Sequence, residues 1–363
     1  MDKKKMNVVE IHSSFCIGGA ENMVYELTKS FDADKVNAKI ITLHSRLGTS
    51  LEDKVDDAGL NVEYVGCEGR VTPGKLLKVY RLIKDCQPDV IHAHMSGVIY
   101  GLPWLLTHKT KMFVTAHTTP DRAFNHRTAQ LIKHFAKKHQ IILVAVSQEN
   151  QKLMQQAYQL DDDCIKCVNN GVDLSRYVHK EHREIVFINV GRHDKNKNQE
   201  LMVRLFHAIH QRNADTKLIL CGDGPEHERL VALAQDLGIS SSVEFTGNVG
   251  NVQDYLARAD IYLSASHREG LPLSTVEAMA SSLPVISTDV GGMKNIVMDN
   301  GILVADGDEV AFYQAMEKLV NDESLRKAMG RRSREIADAF SSEKMAERYT
   351  ALFNDVLLRG TDS

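Results

Sequence analysis

Short apolar runs alternate with amphipathic helical patterns along nearly the whole chain, and the alternation forms two successive series. The clearest runs lie at 6–12, 38–43, 88–94, 111–116, 141–147, 184–190, 217–221, 243–246, 259–266 and 284–288. Such runs are typical of parallel strands buried on both faces, and the helices between them supply the cover. The pattern therefore predicts an α/β protein with two doubly wound parallel sheets.

The length of the chain also favours two domains, because its 363 residues exceed the usual size of one. The turn-rich sequence Asn169-Asn-Gly-Val-Asp173 falls between the two series of strands. We therefore place an N-terminal domain at 1–173 and a C-terminal domain from 174. Open parallel sheets bind ligands at the carboxyl ends of their strands, so we expect the site in a cleft between two such ends.

Composition excludes several other classes of protein. The net charge of −4 gives no indication of a nucleic-acid partner. The longest apolar stretch, residues 97–106, is too short for a membrane span, and the lysine-rich N-terminus lacks the apolar stretch of a signal sequence. The six cysteines are expected to be reduced thiols, including the isolated pair Cys164 and Cys167. These features favour a cytoplasmic location.

Residues 269–277 combine two carboxylates with a predicted helix start. Gly270 and Pro272 favour a tight turn, and Ser274 or Thr275 could cap the helix that follows. A helix N-terminus suits a diphosphate, while the carboxylates of Glu269 and Glu277 suit vicinal hydroxyl groups. Together they could hold both ends of a nucleotide sugar. The alternative is that Glu277 is only a favourable acid in a first helical turn.

Further candidate residues follow other predicted strands. Arg192 and Lys197 come after the first strand of the second series and could clamp a diphosphate. Gly18 and Gly19 follow the first strand of the chain, but the sequence there is not the GxGxxG dinucleotide motif. No carboxylate cluster shows metal-ligand spacing at a strand end, and Asp161-Asp-Asp163 resembles an acidic turn. We therefore expect no metal and no other cofactor.

Residues 70–138 are strongly basic, with 12 Lys and Arg against 3 Asp and Glu. One explanation is a solvated helix face. The other is docking on anionic phospholipid head groups or on a lipid-diphosphate substrate, which would place the protein peripherally on the inner face of the plasma membrane.

The motifs at 18–21, 170–173, 190–197, 222–225 and 269–277 resemble those of retaining GT-B glycosyltransferases, most closely glycosyltransferase family 4 (glycosyl transferases group 1). The resemblance covers nearly the whole chain. It implies a GT-B fold of two Rossmann-like domains facing across a cleft, an acceptor-side domain at 1–173 and a nucleotide-sugar-binding domain at 174–342. It also implies that the last helix, within 343–363, returns to the first domain.

The resemblance also implies roles for individual residues. Arg192 and Lys197 would stabilise the departing nucleotide diphosphate, Glu277 would hold the ribose, and Glu269 would hold the donor sugar. The other donor-side positions implied are Gly18, Gly19, Gly222, Asn248, Val249, Gly270 and Leu271. His117 matches a histidine near the reacting sugar, and His94 more loosely matches the acceptor side. For either histidine a purely structural role is the alternative.

The expected activity is therefore retaining, metal-independent transfer of a sugar, with UDP-sugar favoured over GDP-sugar. The acceptor would be a saccharide or a lipid-diphosphate-linked saccharide in cell-surface polysaccharide biosynthesis. Retention follows from the resemblance. Two alternatives remain at this point: a nucleotide-sugar epimerase on the same scaffold, and a non-catalytic protein that binds nucleotide sugars.

Overall fold

The computed structural model of the chain describes residues 5–16, 18–180 and 183–359. The chain divides into two compact units, which we call unit 1 (residues 1–171 and 342–363) and unit 2 (residues 172–341). The domain limits expected from the sequence, 173/174 and 342/343, lie within two residues of these limits. The C-terminal segment is thus part of unit 1.

Unit 1 contains a seven-stranded sheet in the order β3-β2-β1-β4-β5-β6-β7, with every neighbouring pair parallel. Its strands are β1 (Met6–His12), β2 (Val36–Thr42), β3 (Val62–Tyr64), β4 (Val90–His94), β5 (Lys111–Ala116), β6 (Ile141–Ala145) and β7 (Ile165–Cys167). Its helices are α1 (Gly19–Ser30), α2 (Ser50–Asp57), α3 (Pro73–Cys86), α4 (Val98–Leu105), α5 (Pro120–Ala123), α6 (His126–Ala136), α7 (Gln148–Tyr158) and the C-terminal α14 (Ser342–Arg359).

Side chains on the two faces of this sheet pack into separate apolar cores, because successive side chains of a strand point to opposite sides. Val9, Ile91 and Val114 pack into one apolar cluster. Val8 and Phe113 belong to a second cluster, which the C-terminal helix α14 completes. Burial on both faces explains why these strands read as nearly continuous apolar runs.

Unit 2 contains a six-stranded sheet in the order β10-β9-β8-β11-β12-β13, again with parallel neighbours. Its strands are β8 (Ile185–Val190), β9 (Thr216–Cys221), β10 (Val243–Gly247), β11 (Ile261–Ser264), β12 (Val285–Thr288) and β13 (Gly301–Val304). Its helices are α8 (Gln199–His210), α9 (His227–Asp236), α10 (Val252–Leu256), α11 (Leu273–Ala280), α12 (Glu309–Asn321) and α13 (Glu323–Ala337). Two apolar clusters lie on its two faces.

The fold class expected from the alternating pattern is confirmed by these two parallel sheets with interleaved helices. Helices α7, α12 and α13, at residues 148–158, 309–321 and 323–337, were not assigned from the sequence. None of the described helices has both the length and the apolar character needed to cross a bilayer.

Candidate active site

The strand order of unit 2 reverses between β8 and β11, and a reversal of this kind opens a crevice at the carboxyl ends of the strands. Residues 191–198 follow β8, and residues 265–272 follow β11. These two loops carry five of the nine donor-side residues predicted in unit 2. The topology therefore places them beside one another at the point where a ligand is expected.

Backbone and amide hydrogen bonds join the two loops. The backbone N–H of His267 donates to the carbonyl of Asn196 at 2.8 Å, and the Asn196 amide donates to the carbonyl of Arg268 at 3.0 Å. Next to this junction the ammonium of Lys197 lies 2.5 Å from Oε1 of Glu269. The structure thus brings together a predicted phosphate ligand and a predicted sugar ligand as an ion pair.

Arg192 differs from Lys197 in being exposed. Its backbone carbonyl accepts a hydrogen bond from the Gln199 side chain at 3.0 Å. This bond holds the backbone of the loop and does not involve the guanidinium group. Within the part of the chain that the structure describes, that guanidinium forms no ion pair. It is therefore available to an anionic ligand.

The start of helix α11 corrects one expectation from the sequence. The helix begins at Leu273 with Pro272 as its N-cap, and no described side chain caps it. The hydroxyl of Ser274 instead accepts a hydrogen bond from Tyr262, while Oγ1 of Thr275 is buried without a partner among the described residues. Because proline has no free side-chain acceptor, the first N–H groups of α11 remain uncapped, which is the condition for binding a phosphate.

Glu277 lies in the second turn of α11 and is half-buried. Burial raises the pKa of its carboxyl group, and a hydrogen bond with Tyr177 and the charge of Arg176 oppose that rise. Tyr177 and Arg176 precede the first strand of unit 2, so sequence spacing gave no reason to connect them with Glu277. These two residues were missed by sequence analysis.

The glycines of this edge allow strands and loops to approach closely. Gly222 has φ of +131°, and a Cβ at this position would lie 2.1 Å from the carbonyl oxygen of Gly191. Its N–H donates to the carbonyl of Gly247, the residue before Asn248 and Val249. The carbonyl of Gly270, which precedes Leu271, accepts from the N–H of Gly292 at 3.0 Å. The predicted donor positions of unit 2 thus occupy adjoining loops.

Unit 1 has its own strand-order reversal, between β1 and β4. Gly18, in extended conformation, is the N-cap of α1 after β1, and no described side chain caps this helix. Gly19 is exposed at its first position. His94 ends β4, and His117 directly follows the neighbouring strand β5. All four predicted residues of unit 1 therefore lie at the carboxyl edge of its sheet.

The two histidines belong to a buried polar cluster that sequence analysis did not predict. Nε2 of His94 lies 2.7 Å from Oε2 of Glu10, and Nδ1 of His94 lies 3.0 Å from Nε2 of His117. His92 lies 2.9 Å from the same Glu10 oxygen. His94 is only 3% exposed, and both of its ring nitrogens form hydrogen bonds within the protein. It therefore has no ring nitrogen left to bind an acceptor substrate.

The second arm of the cluster runs from His92 to helix α14. Nε2 of His92 lies 2.8 Å from the hydroxyl of Thr115, which lies 2.9 Å from the hydroxyl of Tyr349. The register of the sheet explains the grouping, because Glu10 pairs with His92 and His94 pairs with Thr115 across adjacent strands. Polar residues at alternate positions of apolar strands were the sequence signal that could have revealed it.

Burial and hydrogen bonding shift the pKa values of this cluster. Desolvation opposes ionisation of Glu10, but His92 and His94 outweigh it and lower the pKa of Glu10 to about 2. Burial lowers the pKa of His94 to about 4, and it holds the pKa of His117 well below the ordinary value. At neutral pH the site therefore contains a carboxylate with neutral His94 and His117 beside it.

Among the described residues, one set of three side chains has the spacing of a metal site. It consists of Glu10, His92 and His94, whose candidate ligand atoms lie within 4.8 Å of one another. The same atoms already hydrogen-bond to each other in this structure. The expectation that the protein works without a metal stays a prediction.

The fold places the chain in a class of known structures, the GT-B glycosyltransferases. Anabaena HepE in complex with UDP superposes with a TM-score of 0.81 over 96% of this chain and 100% of that chain, at 18% identity. A Rickettsia africae glycosyltransferase superposes with a TM-score of 0.81 over 98% of this chain and 99% of that one, at 17% identity. At these identities the likeness establishes the fold.

The family follows from the sequence comparisons. The family model described as Glycosyltransferase Family 4 matches residues 17–176, and the model described as Glycosyl transferases group 1 matches residues 173–336. The two matches together run from residue 17 to residue 336, and the chain belongs to this glycosyltransferase family.

Two curated relatives show the range of the family. N-acetyl-alpha-D-glucosaminyl L-malate synthase of Bacillus anthracis is 32% identical over 209 residues, which are 57% of this chain and 55% of that protein. The chain thus spans about half the length of this relative. A Campylobacter jejuni N-acetylgalactosamine-N,N'-diacetylbacillosaminyl-diphospho-undecaprenol 4-alpha-N-acetylgalactosaminyltransferase is 26% identical over 76% of this chain and 78% of its own length.

Proposed function

We propose that the protein transfers a sugar from a nucleotide sugar, with UDP favoured as the nucleotide, to a saccharide or lipid-diphosphate-linked saccharide in cell-surface polysaccharide biosynthesis. The observation that carries this proposal is the edge of unit 2, where Lys197, Arg192 and the uncapped start of α11 adjoin Glu269. Cations and helix N–H groups bind a diphosphate, while a carboxylate accepts hydrogen bonds from sugar hydroxyl groups.

The arrangement suits the demand of glycosyl transfer, which is stabilisation of the leaving group. Negative charge develops on the departing diphosphate in the transition state. Arg192 and Lys197 supply positive charge there, and the first N–H groups of α11 supply fixed donors. The Lys197–Glu269 ion pair keeps the ammonium in the loop, so little reorganisation is needed when the donor binds.

We further propose that transfer retains the anomeric configuration and needs no metal. The family resemblance supports retention, and the described residues of the donor loops supply the leaving group with cations from the protein itself. The acceptor hydroxyl would attack from the face that the diphosphate leaves, and the leaving phosphate would take its proton. Assigning the anomeric configuration of the product tests this proposal, and an inverted product would overturn it.

The relatives support the substrate classes. The HepE neighbour was crystallised with UDP, and the name of the Campylobacter jejuni relative gives a diphospho-undecaprenol-linked acceptor. By analogy we favour UDP over GDP and a lipid-linked saccharide over a free sugar. The identity of the transferred sugar is set by pocket hydrogen bonds, which discriminate hydroxyl patterns.

A thermal-shift panel of nucleotide sugars, with UDP and GDP alone as references, tests the donor class. A ligand at a hundredfold its Kd stabilises a protein by about 2.7 kcal/mol, which gives a visible shift in Tm. We expect a response to the uridine series that Arg192→Ala weakens. Arg204→Ala, which removes an exposed arginine of unit 2 paired with Glu309, is the matched control and should respond like the wild type.

Product analysis then separates the transferase from the alternatives. A transferase forms a glycoside only when acceptor is present. Interconversion of the nucleotide sugar without an acceptor would indicate the epimerase, and binding without any turnover would indicate a non-catalytic protein. No response to any nucleotide sugar would contradict all three assignments.

We also propose that unit 1 docks on anionic lipid from the cytoplasmic side through its basic region, residues 70–138. On helix α3, Leu77 is 49% exposed and lies near exposed Arg81 and Lys84. After helix α4, Leu106 is 73% exposed and precedes exposed Lys109. Apolar side chains among lysines and arginines are the combination that binds a membrane surface.

Sedimentation with vesicles of phosphatidylglycerol and phosphatidylcholine tests this docking. We expect binding at low salt that is lost with phosphatidylcholine alone and in the variant Arg81→Glu/Lys84→Glu. The matched control is Lys318→Glu/Arg331→Glu, which makes the same charge change at exposed positions of unit 2. If both variants bind equally well, the basic region is only a solvated surface.

A further inference from the structure

Glu10 is a fully buried carboxylate with two histidine partners, and it has no role in the donor loops of the proposed reaction. It lies on β1, covered by α14, and reaches His117 only through His94. Its position is therefore internal to the sheet, two residues before the end of β1. The direction of the hydrogen bonds that run from Glu10 through His94 determines which ring nitrogen of His117 carries a proton.

The direction of each hydrogen bond follows from the carboxylate. An ionised carboxylate accepts hydrogen bonds and donates none, so Nε2 of His94 must carry the proton in its 2.7 Å contact with Glu10. A neutral imidazole has one N–H, so Nδ1 of His94 is then an acceptor. Nε2 of His117, 3.0 Å away, must donate to it. Nδ1 of His117 is left with a lone pair.

That last nitrogen has no partner. Nδ1 of His117 is buried and forms no hydrogen bond with any described residue. A buried acceptor without a partner is costly, and such atoms in native proteins are usually satisfied by a ligand or by water. Because Nδ1 of His117 carries a lone pair and no proton, its partner must be a hydrogen-bond donor, such as a hydroxyl group.

The surrounding contacts hold His117 in one orientation. Its backbone N–H lies 3.4 Å from Sδ of Met95, and the amide of Asn150 donates to the carbonyls of Ala116 and Thr118 on either side of it. The rings of His94 and His117 are stacked with centroids 5.2 Å apart. These contacts hold the backbone around His117, and the 3.0 Å contact between its Nε2 and Nδ1 of His94 orients the ring.

We propose that Glu10 and His94 are positioning residues that fix His117 as its Nε2–H tautomer, so that its Nδ1 accepts a hydrogen bond from a hydroxyl group of a bound saccharide. This inference rests on the proposed function, because the saccharide is a substrate of the transfer reaction. His94 then acts through His117 and not by touching the acceptor. The same arrangement disfavours a ligand that presents an acceptor, such as a carboxylate, at this position.

The variant Glu10→Gln tests the chain of hydrogen bonds directly. The Gln side chain carries a donor NH2 beside its acceptor oxygen, and with the NH2 towards His94, Nε2 of His94 accepts and both histidines reverse their tautomers. Tyr349→Phe is the matched control, because it removes one buried hydroxyl from the other arm of the cluster and leaves the His94 arm intact. Comparing the two separates a change of tautomer from general loosening of the buried cluster.

The first readout is the two-bond ¹H–¹⁵N NMR spectrum of histidine side chains in the full-length protein, assigned with His94→Asn and His117→Asn. We expect the Nε2–H tautomer at His94 and His117 in the wild type and in Tyr349→Phe, and a loss of that tautomer in Glu10→Gln. The Nδ1–H tautomer at His117 in the wild type would overturn the proposal. So would stoichiometric metal in the purified protein, since a metal would replace the Nε2 proton of His94.

The second readout is transfer with the nucleotide sugar that the thermal-shift panel selects. We expect Glu10→Gln to lower kcat about tenfold, the effect of one ordinary hydrogen bond, while Tyr349→Phe keeps the wild-type kcat. A changed tautomer with unchanged kcat and KM would overturn the positioning role and leave the proposed function standing. Absence of transfer by the wild type would overturn the proposed function, while the NMR result would still decide the tautomer.

Discussion

Burial raises the pKa of the Glu277 carboxyl group, and a hydrogen bond with Tyr177 and the charge of Arg176 oppose that rise. Its ability to bind a diol depends on two free lone pairs, so both its charge and its geometry matter. The neighbouring ion pair of Lys197 and Glu269 shows the same principle. At this scale each residue acquires its role from a partner that is distant in the sequence.

We expect Glu277→Gln to weaken UDP binding roughly tenfold to a hundredfold, because hydrogen bonds to a charged group contribute about 1.5–3 kcal/mol. Isothermal titration calorimetry with UDP measures the change. The analogue 2′,3′-dideoxy-UDP is the control, since it lacks the diol that Glu277 is proposed to hold. An equal loss of affinity for both ligands would show that Glu277 supports the fold of the site and does not bind ribose.

Gly222 is required by backbone geometry. We expect Gly222→Ala to destabilise the protein by about 3 kcal/mol, because φ of +131° is strained for any other residue and the new Cβ meets the Gly191 carbonyl. Gly247→Ala is the matched control: its φ is +65° but a Cβ there meets nothing within 4 Å, so about 1 kcal/mol is expected. Urea unfolding of both variants measures the difference, and similar losses would contradict the steric argument.

Among the secondary-structure elements, helix α14 has the most consequence for unit 1. It follows the whole of unit 2 in the chain, yet it packs against α1 and seals the polar cluster on β1, β4 and β5. Tyr349 and Phe353 supply both the apolar cover and the hydroxyl that ends the hydrogen-bonded chain. The site residues of unit 1 therefore depend on an element from the other end of the sequence.

We expect Phe353→Ala to destabilise unit 1 by about 3–5 kcal/mol, because the side chain is fully buried and contacts His92 and Phe113. Leu358→Ala on the same helix removes a side chain that is 69% exposed and should change stability by less than about 0.5 kcal/mol. Thermal unfolding measures both variants. A small effect of Phe353→Ala would mean that α14 contributes little to the core of unit 1.

At the scale of the whole molecule, buried neutral histidines make stability depend on pH. His193 in unit 2 is fully buried, and burial together with neighbouring His227 lowers its pKa from 6.5 to about 4. Above pH 6.5 the His193 imidazole is neutral in both the folded and the unfolded protein. Between pH 6.5 and 4 the unfolded chain takes up a proton that the folded protein does not, so stability falls as pH falls.

We expect the free energy of unfolding to decrease from pH 6.5 towards pH 4, with His193 contributing up to about 3 kcal/mol of the loss. Urea titrations at pH 7, 6 and 5 measure this decrease. In His193→Asn the decrease should be smaller than in the wild type. An identical pH dependence in the two proteins would show that His193 is accessible to protons in the folded state.

The sequence by itself determined the two parallel sheets, because apolar strands and amphipathic helices carry their periodicity locally. It also placed β1 and β5 at the residues where the structure has them. The donor loops could be located for the same reason: Arg192, Lys197 and Glu269 follow recognisable strands. The prediction that Ser274 or Thr275 caps helix α11 was wrong. The Ser274 hydroxyl bonds to Tyr262 instead, and the Thr275 hydroxyl is buried.

Only the tertiary structure decided which side chains meet. The contact of Tyr177 with Glu277 and the chain from Glu10 to His117 join segments that are far apart in the sequence, and local periodicity carries no information on such pairs. Strand register set Glu10 opposite His92, and α14 closed the cluster from the C-terminus. Burial then fixed the protonation states, because the cost of a charge depends on its three-dimensional surroundings and not on its neighbours in the chain.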